Sequence, residues 1–163
     1  MKKEEDPRTL KEALTQRRAR SDRPVMGGTA AAVDTAGALR LSGCEEFTRL
    51  GTDGKTVHIG AGCTAAQLAA EPLLPGLLRA CAKQCPEELR DRASLGGAVC
   101  AGNESVLCAL TALGAEVTVA SEYGRRTMPL RSFRKNGKLS LAPEFLYENN
   151  HHSASTSSKA QLQ

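Results

Sequence analysis

ELRDRASLGGAVCAGNESVLCALTALGAEVTVAS, residues 88–121, is the stretch whose reading decides the fold. A short polar lead-in reaches the glycine pair Gly96-Gly97. Asn103 then stands as an N-cap for a helix running to Leu113, and Gly114 is its natural C-terminal stop. Beyond the helix, Glu116 to Ala120 alternates as a strand, Tyr123-Gly124 turns, and Arg125 to Leu130 can pair back as a hairpin ending at Pro129. A helix followed by an antiparallel hairpin reads as α+β, not as a doubly wound parallel sheet.

The chain upstream fits that class. Thr9 and Glu12 form a capping-box pattern, and Leu10, Ala13 and Leu14 share a face, which predicts a helix over about 9–19 with Arg17, Arg18 and Arg20 at its negative end. Pro24 breaks it, and Val25-Met26 runs as a short strand into Gly27-Gly28-Thr29. Ala38 to Leu41 alternates as a second short strand. Asp53-Gly54 is a hairpin signal, followed by a strand over Thr56 to Ile59 that ends at Gly60-Ala61-Gly62. Thr64 and Gln67 form another capping box, opening a helix through Ala70, and a further helix runs from Pro75 to about Gln84, where Pro86 stops it. From Asn149 onward the chain is polar and serine-rich without periodicity, so residues 149–163 are expected to be a disordered tail.

At 163 residues the chain is one domain, or one domain with a tail, and its 40% apolar and 25% charged content is that of a globular protein with a core. Aromatic residues make up only 3%, with no Trp, so stacking platforms for single-stranded nucleic acid are poorly supplied. The net charge of +4 comes from basic residues interleaved with acids and demands no nucleic-acid partner. The first twenty residues are charged throughout and no apolar run approaches a membrane span, so a cytoplasmic protein is expected. Six cysteines are then free thiols by default. Cys81 and Cys85 share a helix face but make no metal site by themselves, and His58, His151 and His152 lack a third ligand, so no metal is expected.

Gly27-Gly28 and Gly96-Gly97 are the residues that could carry chemistry. Glycine lets the backbone approach an anion closely, and successive N–H groups in such turns can form a nest for phosphate, so two loops facing each other could hold a diphosphate. Neither loop fits the G-x-G-x-x-G or G-x-x-x-x-G-K-[ST] fingerprint.

VMGGTAAAVD (25–34), VHIGAGCTAAQLA (57–69) and the 88–121 stretch, in that order, resemble three blocks of the FAD-binding domain in molybdenum hydroxylase flavoprotein (medium) subunits, the family of xanthine dehydrogenase and carbon monoxide dehydrogenase medium subunits. The likeness covers about residues 9–147. Arg90, Arg92, Ser94, Gly96, Gly97, Leu110, Leu113 and Ala115 fall where that family has an arginine, a Thr or Ser, a Gly-Gly pair and the helix beyond.

That resemblance implies a two-lobed α+β fold of the molybdenum hydroxylase and vanillyl-alcohol oxidase type, with a small lobe of about 1–54, a larger one of about 55–148, and FAD between them. The family's further C-terminal domain is not expected in this chain. Gly27, Gly28, Thr29 and Ala30 correspond to the first cofactor loop, and Ser94, Gly96, Gly97 and Ala98 to the second. Ile59-Gly60-Ala61-Gly62-Cys63-Thr64 matches the segment lining the cleft, with Ile59 and Gly60 as its expected cofactor residues, and Glu104-Ser105-Val106 fits a short-loop branch with purine or selenium-linked hydroxylase subunits. Many relatives carry an acid where this chain has Ala30 and an asparagine where it has Ala98. The implied role is electron transfer through FAD, alongside a molybdenum-binding large subunit and an iron-sulfur small subunit, with no catalytic acid or nucleophile in this chain. The alternative reading is a cofactor-free remnant of the fold serving as an interaction module. A peptidoglycan-precursor reductase, which shares this type of FAD domain, would need a substrate domain that the chain cannot house.

Overall fold

In a computed structural model the described residues are 6–20, 23–25, 38–121, 123–135 and 141–148. The first glycine loop, Gly27 to Ala30, and the polar tail lie outside them.

The first helix, α1 (Leu10–Arg20), buries Leu10 and Ala13 and is followed by β1 (Arg23–Val25), which pairs in parallel with β2 (Ala38–Arg40). A 3-10 turn at Glu45–Phe47 closes this region. Its Cys44 thiol donates to Pro7 O at 3.2 Å, and the Glu46 carboxylate accepts from the Leu10 N–H at 3.3 Å, so α1 is tied to the turn from two sides.

The remaining strands form one antiparallel sheet. β3 (Leu50–Thr52) and β4 (Thr56–Gly60) make the hairpin at Asp53-Gly54, whose Gly54 has φ +96°, a left-handed conformation that costs glycine nothing. β5 (Glu116–Ser121) and β6 (Gly124–Pro129) make the second hairpin, and β7 (Leu141–Glu148) lies between the two, giving the order β3-β4-β7-β5-β6. Four helices separate the hairpins: α2 (Ala65–Ala70), α3 (Gly76–Lys83), α4 (Leu95–Cys100) and α5 (Glu104–Ala112). A sixth, α6 (Leu130–Lys135), follows β6.

Core placement follows from strand alternation. Val57 and Ile59 of β4, Val117 of β5, and Phe145 and Tyr147 of β7 are buried, and they join Leu68, Leu74, Leu78, Leu95, Leu107 and Leu110 from the helices in one cluster. Each such aliphatic or aromatic side chain contributes about 1.5–3 kcal/mol by leaving water. The same cluster includes Leu10, Leu39, Cys44 and Phe47, so a continuous core underlies both sheets.

Three elements run against the sequence reading. α4 contains the glycine pair expected to form a turn, and neither α6 nor β7 was expected. β7 tolerates Pro143 near its start because the β5–β7 register is irregular between Thr118 and Ala120, which is the kind of place where a strand accepts a residue without an N–H.

Candidate functional site

Two segments about thirty residues apart meet side by side. Thr64 and Ser94 are antiparallel bridge partners. Around them the Ala65 N–H donates to Ala93 O (2.8 Å), Leu95 N–H to Cys63 O (3.0 Å), Gly96 N–H to Ala61 O (2.8 Å) and Ala66 N–H to Arg90 O (3.0 Å). Both bridge residues are N-caps. Thr64 Oγ1 accepts from the Gln67 N–H while Gln67 Oε1 accepts from the Thr64 N–H, and Ser94 Oγ accepts from the Gly97 N–H at 3.1 Å. A hydroxyl that accepts still has its own O–H to donate. Ser94 is buried and Thr64 half-buried, and as bridge partners their side chains share one side of the junction.

Glycine is required here by crowding. A Cβ on Gly96 would come within 2.9 Å of the Ala61 Cβ and 3.1 Å of Ala61 O. One on Gly60 would lie 2.9 Å from Arg49 N and closer still to the Phe47 carbonyl, all rigid backbone. The Gly60 and Gly62 N–H groups donate to Arg49 O and Phe47 O, each at 2.6 Å, and the Ala61 N–H donates to Pro143 O at 2.8 Å. Residues 60–64 are thus held between the 3-10 turn, β7 and the second glycine pair.

The sequence pointed to amides of the second loop as anion donors, but in the fold they have protein acceptors. Gly96 donates to Ala61 O, Gly97 to Ser94 Oγ and Ala98 to Ser94 O. The physical reason is that this segment is the first turn of α4 rather than an open nest, so its donors go to a cap, a neighbouring loop and the helix itself. What the glycines provide is the close approach of two backbones, and the remaining donors are the hydroxyls.

Other expected site residues are placed as follows. Ile59 is fully buried in the core, with its side chain on the packed face of β4. Glu104 and Ser105 sit exposed in the first turn of α5, where Asn103 accepts from the Val106 N–H and the Cys81 thiol donates to Ser105 O at 3.5 Å. Thr64 was marked in the sequence as a helix cap within the 59–64 segment and Arg90 as part of the stretch leading to the second glycine pair, but their meeting at one junction was not read there. The Arg90 Nε donates to Cys85 O at 2.9 Å and its Nη2 to Lys83 O at 2.7 Å. Thr64 was visible locally as a cap, but its partnership with Ser94 is a long-range pairing that no local pattern encodes.

The buried thiols beside this region are not poised for chemistry. Burial raises the Cys63 pKa, and Cys44 is pushed up to about 11 by burial, with Glu46 and Glu12 adding to the effect. A thiol held in its protonated form is a poor nucleophile and metal ligand. On the opposite sheet face, His58 lies 3.6 Å from Glu144 and 3.8 Å from Asp53, whose own carboxylate is lowered by the Thr56 and Lys55 N–H groups it accepts. Among the described residues no group of three His, Cys, Asp or Glu could hold a metal ion, and no helix is long and apolar enough to cross a membrane.

Residues 5–146 match the family model described as the FAD binding domain in molybdopterin dehydrogenase. No curated protein sequence matches the chain. Among solved structures, the fold is similar to a carbon monoxide dehydrogenase from Hydrogenophaga pseudoflava that lacks the Mo-pyranopterin moiety of the molybdenum cofactor (TM-score 0.79, 20% identity, 87% of this chain and 57% of that one). It is also similar to quinoline 2-oxidoreductase from Pseudomonas putida 86 (TM-score 0.76, 19% identity, 87% and 57%) and to a reconstituted CO dehydrogenase from Oligotropha carboxidovorans (TM-score 0.77, 18% identity, 87% and 57%). At such identities the likeness is one of fold, and this chain spans 57% of the length of those relatives.

Proposed function

We propose, for a chain that belongs to the family of FAD-binding domains in molybdopterin dehydrogenase, that it holds FAD as the electron-transfer subunit of a molybdenum hydroxylase-like complex. The observation that carries this reading is the Thr64–Ser94 junction, where two of the three family-like blocks are laced together by backbone hydrogen bonds. The fit to a diphosphate rests on the Ser94 and Thr64 hydroxyls, set in place by the close backbone packing at Gly60 and Gly96 and by the Gly97 N–H on Ser94 Oγ, with Ala98 next in the same turn. Gly27, Gly28, Thr29 and Ala30 would complete the cradle from the smaller lobe, about residues 1–54 apart from β3, which pairs into the larger sheet. Ile59 would support the cleft from beneath, through the core, and Glu104 and Ser105 would border it.

FAD, when bound, accepts electrons and passes them to an acceptor. The protein's part is to bind and orient the dinucleotide. Its partners would be a molybdenum-binding large subunit and an iron-sulfur small subunit, in the cytoplasm. Titration of the purified protein with FAD tests the reading. Saturable uptake near one equivalent, with a rise in thermal midpoint as ligand occupies only the native state, is expected. Failure to bind FAD would overturn it. That outcome would favour the cofactor-free interaction module, a reading supported by the internal hydrogen bonds that engage the Gly96, Gly97 and Ala98 amides.

A further inference from the structure

We propose that Arg90 is the positioning residue of the candidate cofactor junction, fixing where Ser94 faces Thr64. The proposal rests on the FAD reading for its functional consequence and on the geometry alone for its structural one.

The last carbonyls of a helix lack partners within it. At the end of α3, Lys83 O and Cys85 O are supplied with donors by a single guanidinium, Nη2 and Nε of Arg90 reaching 2.7 and 2.9 Å. Between these acceptors and Arg90 the chain coils tightly. Leu89 donates to Pro86 O, Arg90 to Glu87 O, and both Arg92 and Ala93 donate to Leu89 O. The 86–93 segment is therefore a compact turn closed on itself, and the Arg90 side chain is its tether back to α3. On its other side the same segment presents Arg90 O and Ala93 O to the Ala66 and Ala65 N–H groups, at the start of α2. One residue thus joins the end of α3 to the start of α2, four positions before Ser94.

Arginine suits this place for a specific reason. Its planar fork satisfies two carbonyls at once, whereas a lysine ammonium is a single flexible point. Without the fork, the 90–97 segment keeps its local turns but loses the reference that sets its register against residues 60–66. The Thr64–Ser94 bridge and the Gly96-to-Ala61 bond belong to that register, and Ala61 leaves no room for a side chain at Gly96.

Amide hydrogen exchange in FAD-free protein, followed by FAD titration, compares wild type with Arg90→Met and Arg90→Lys, with Arg92→Ala as the control at an exposed neighbour. Expected are faster exchange at Ala65, Ala66, Leu95 and Gly96 with Val117 in the sheet unchanged, FAD affinity weakened roughly tenfold or more, as misplacement of a binding group costs, and an altered band shape of the bound flavin. Arg90→Lys should behave like Arg90→Met, and Arg92→Ala like wild type. If Arg90→Met does not fold, Arg90→Lys carries the same comparison. Wild-type exchange at the junction, exchange that rises uniformly through the sheet, or FAD affinity within twofold of wild type overturns the proposal. If wild type itself takes up no FAD, the FAD reading falls, while the exchange pattern still decides whether Arg90 sets the junction.

Discussion

Thr64 and Ser94 face each other as bridge partners while each caps its own helix, so one pair of residues starts two helices at the point where backbone hydrogen bonds join the segments. Loss of a Ser or Thr cap costs about 1 kcal/mol. Ser94→Ala should lower the urea unfolding midpoint accordingly and weaken FAD binding. Combined with Thr64→Ala, the losses should deviate from additivity, because the two residues share one junction.

Gly60→Ala should be among the most damaging glycine substitutions. The new methyl would meet the Phe47 carbonyl and Arg49 N, neither of which can rotate away, and overpacking of that kind costs about 1–3 kcal/mol. Gly51→Ala in the adjacent strand meets nothing within 4 Å and should be neutral or gain roughly 0.5 kcal/mol. Denaturant midpoints of the two variants, measured side by side, check the contrast.

Cys44 gives the fold an alkaline sensitivity. Its pKa rises from an ordinary 9.0 to about 11 in the native state, so the unfolded chain releases this proton first as pH climbs. The stability that the protonated thiol contributes is complete below pH 9 and is lost through the window from 9.0 to about 11. Urea midpoints should fall more steeply across that window in wild type than in Cys44→Ser, which keeps a donor for Pro7 O but does not titrate. Parallel slopes would contradict the assignment.

Tyr147→Phe should stabilise the protein. The Tyr147 hydroxyl is buried without a hydrogen-bond partner among the described residues, and an unsatisfied buried hydroxyl carries a desolvation penalty of about 1–3 kcal/mol that phenylalanine avoids while filling the same space. A rise in denaturant midpoint with an unchanged slope is expected.

Much of the fold was legible wherever a local signal sufficed. The Thr64–Gln67 capping box forms in both directions, Asn103 caps α5, and Gly54, Gly114 and Gly124 take positive φ at the turns they mark. The parallel pairing of β1 with β2, and the position of β7, were not legible, because they depend on partners far along the chain. Pro143 lacks the N–H that a central strand uses, and the irregular register opposite Thr118 and Ala120 makes room for it. At the candidate site, the second glycine pair, expected as a phosphate-binding turn, opens a helix instead. Two glycines are poor helix formers, yet Gly96 and Gly97 open α4, because Ser94 and Ala61 take their N–H groups. The domain's family and fold were visible in whole strings of residues. The junction itself became visible only with the pairing of Thr64 and Ser94.

The sheet order places a late segment at its centre. Among the described residues β4 and β5 share no ladder of their own, and β7 bridges them. During synthesis the two hairpins must therefore wait, each with an open edge, until residues 141–148 leave the ribosome. A nascent chain paused before that point should expose those edges to proteases and chaperones, and emergence of the final strand should close both at once.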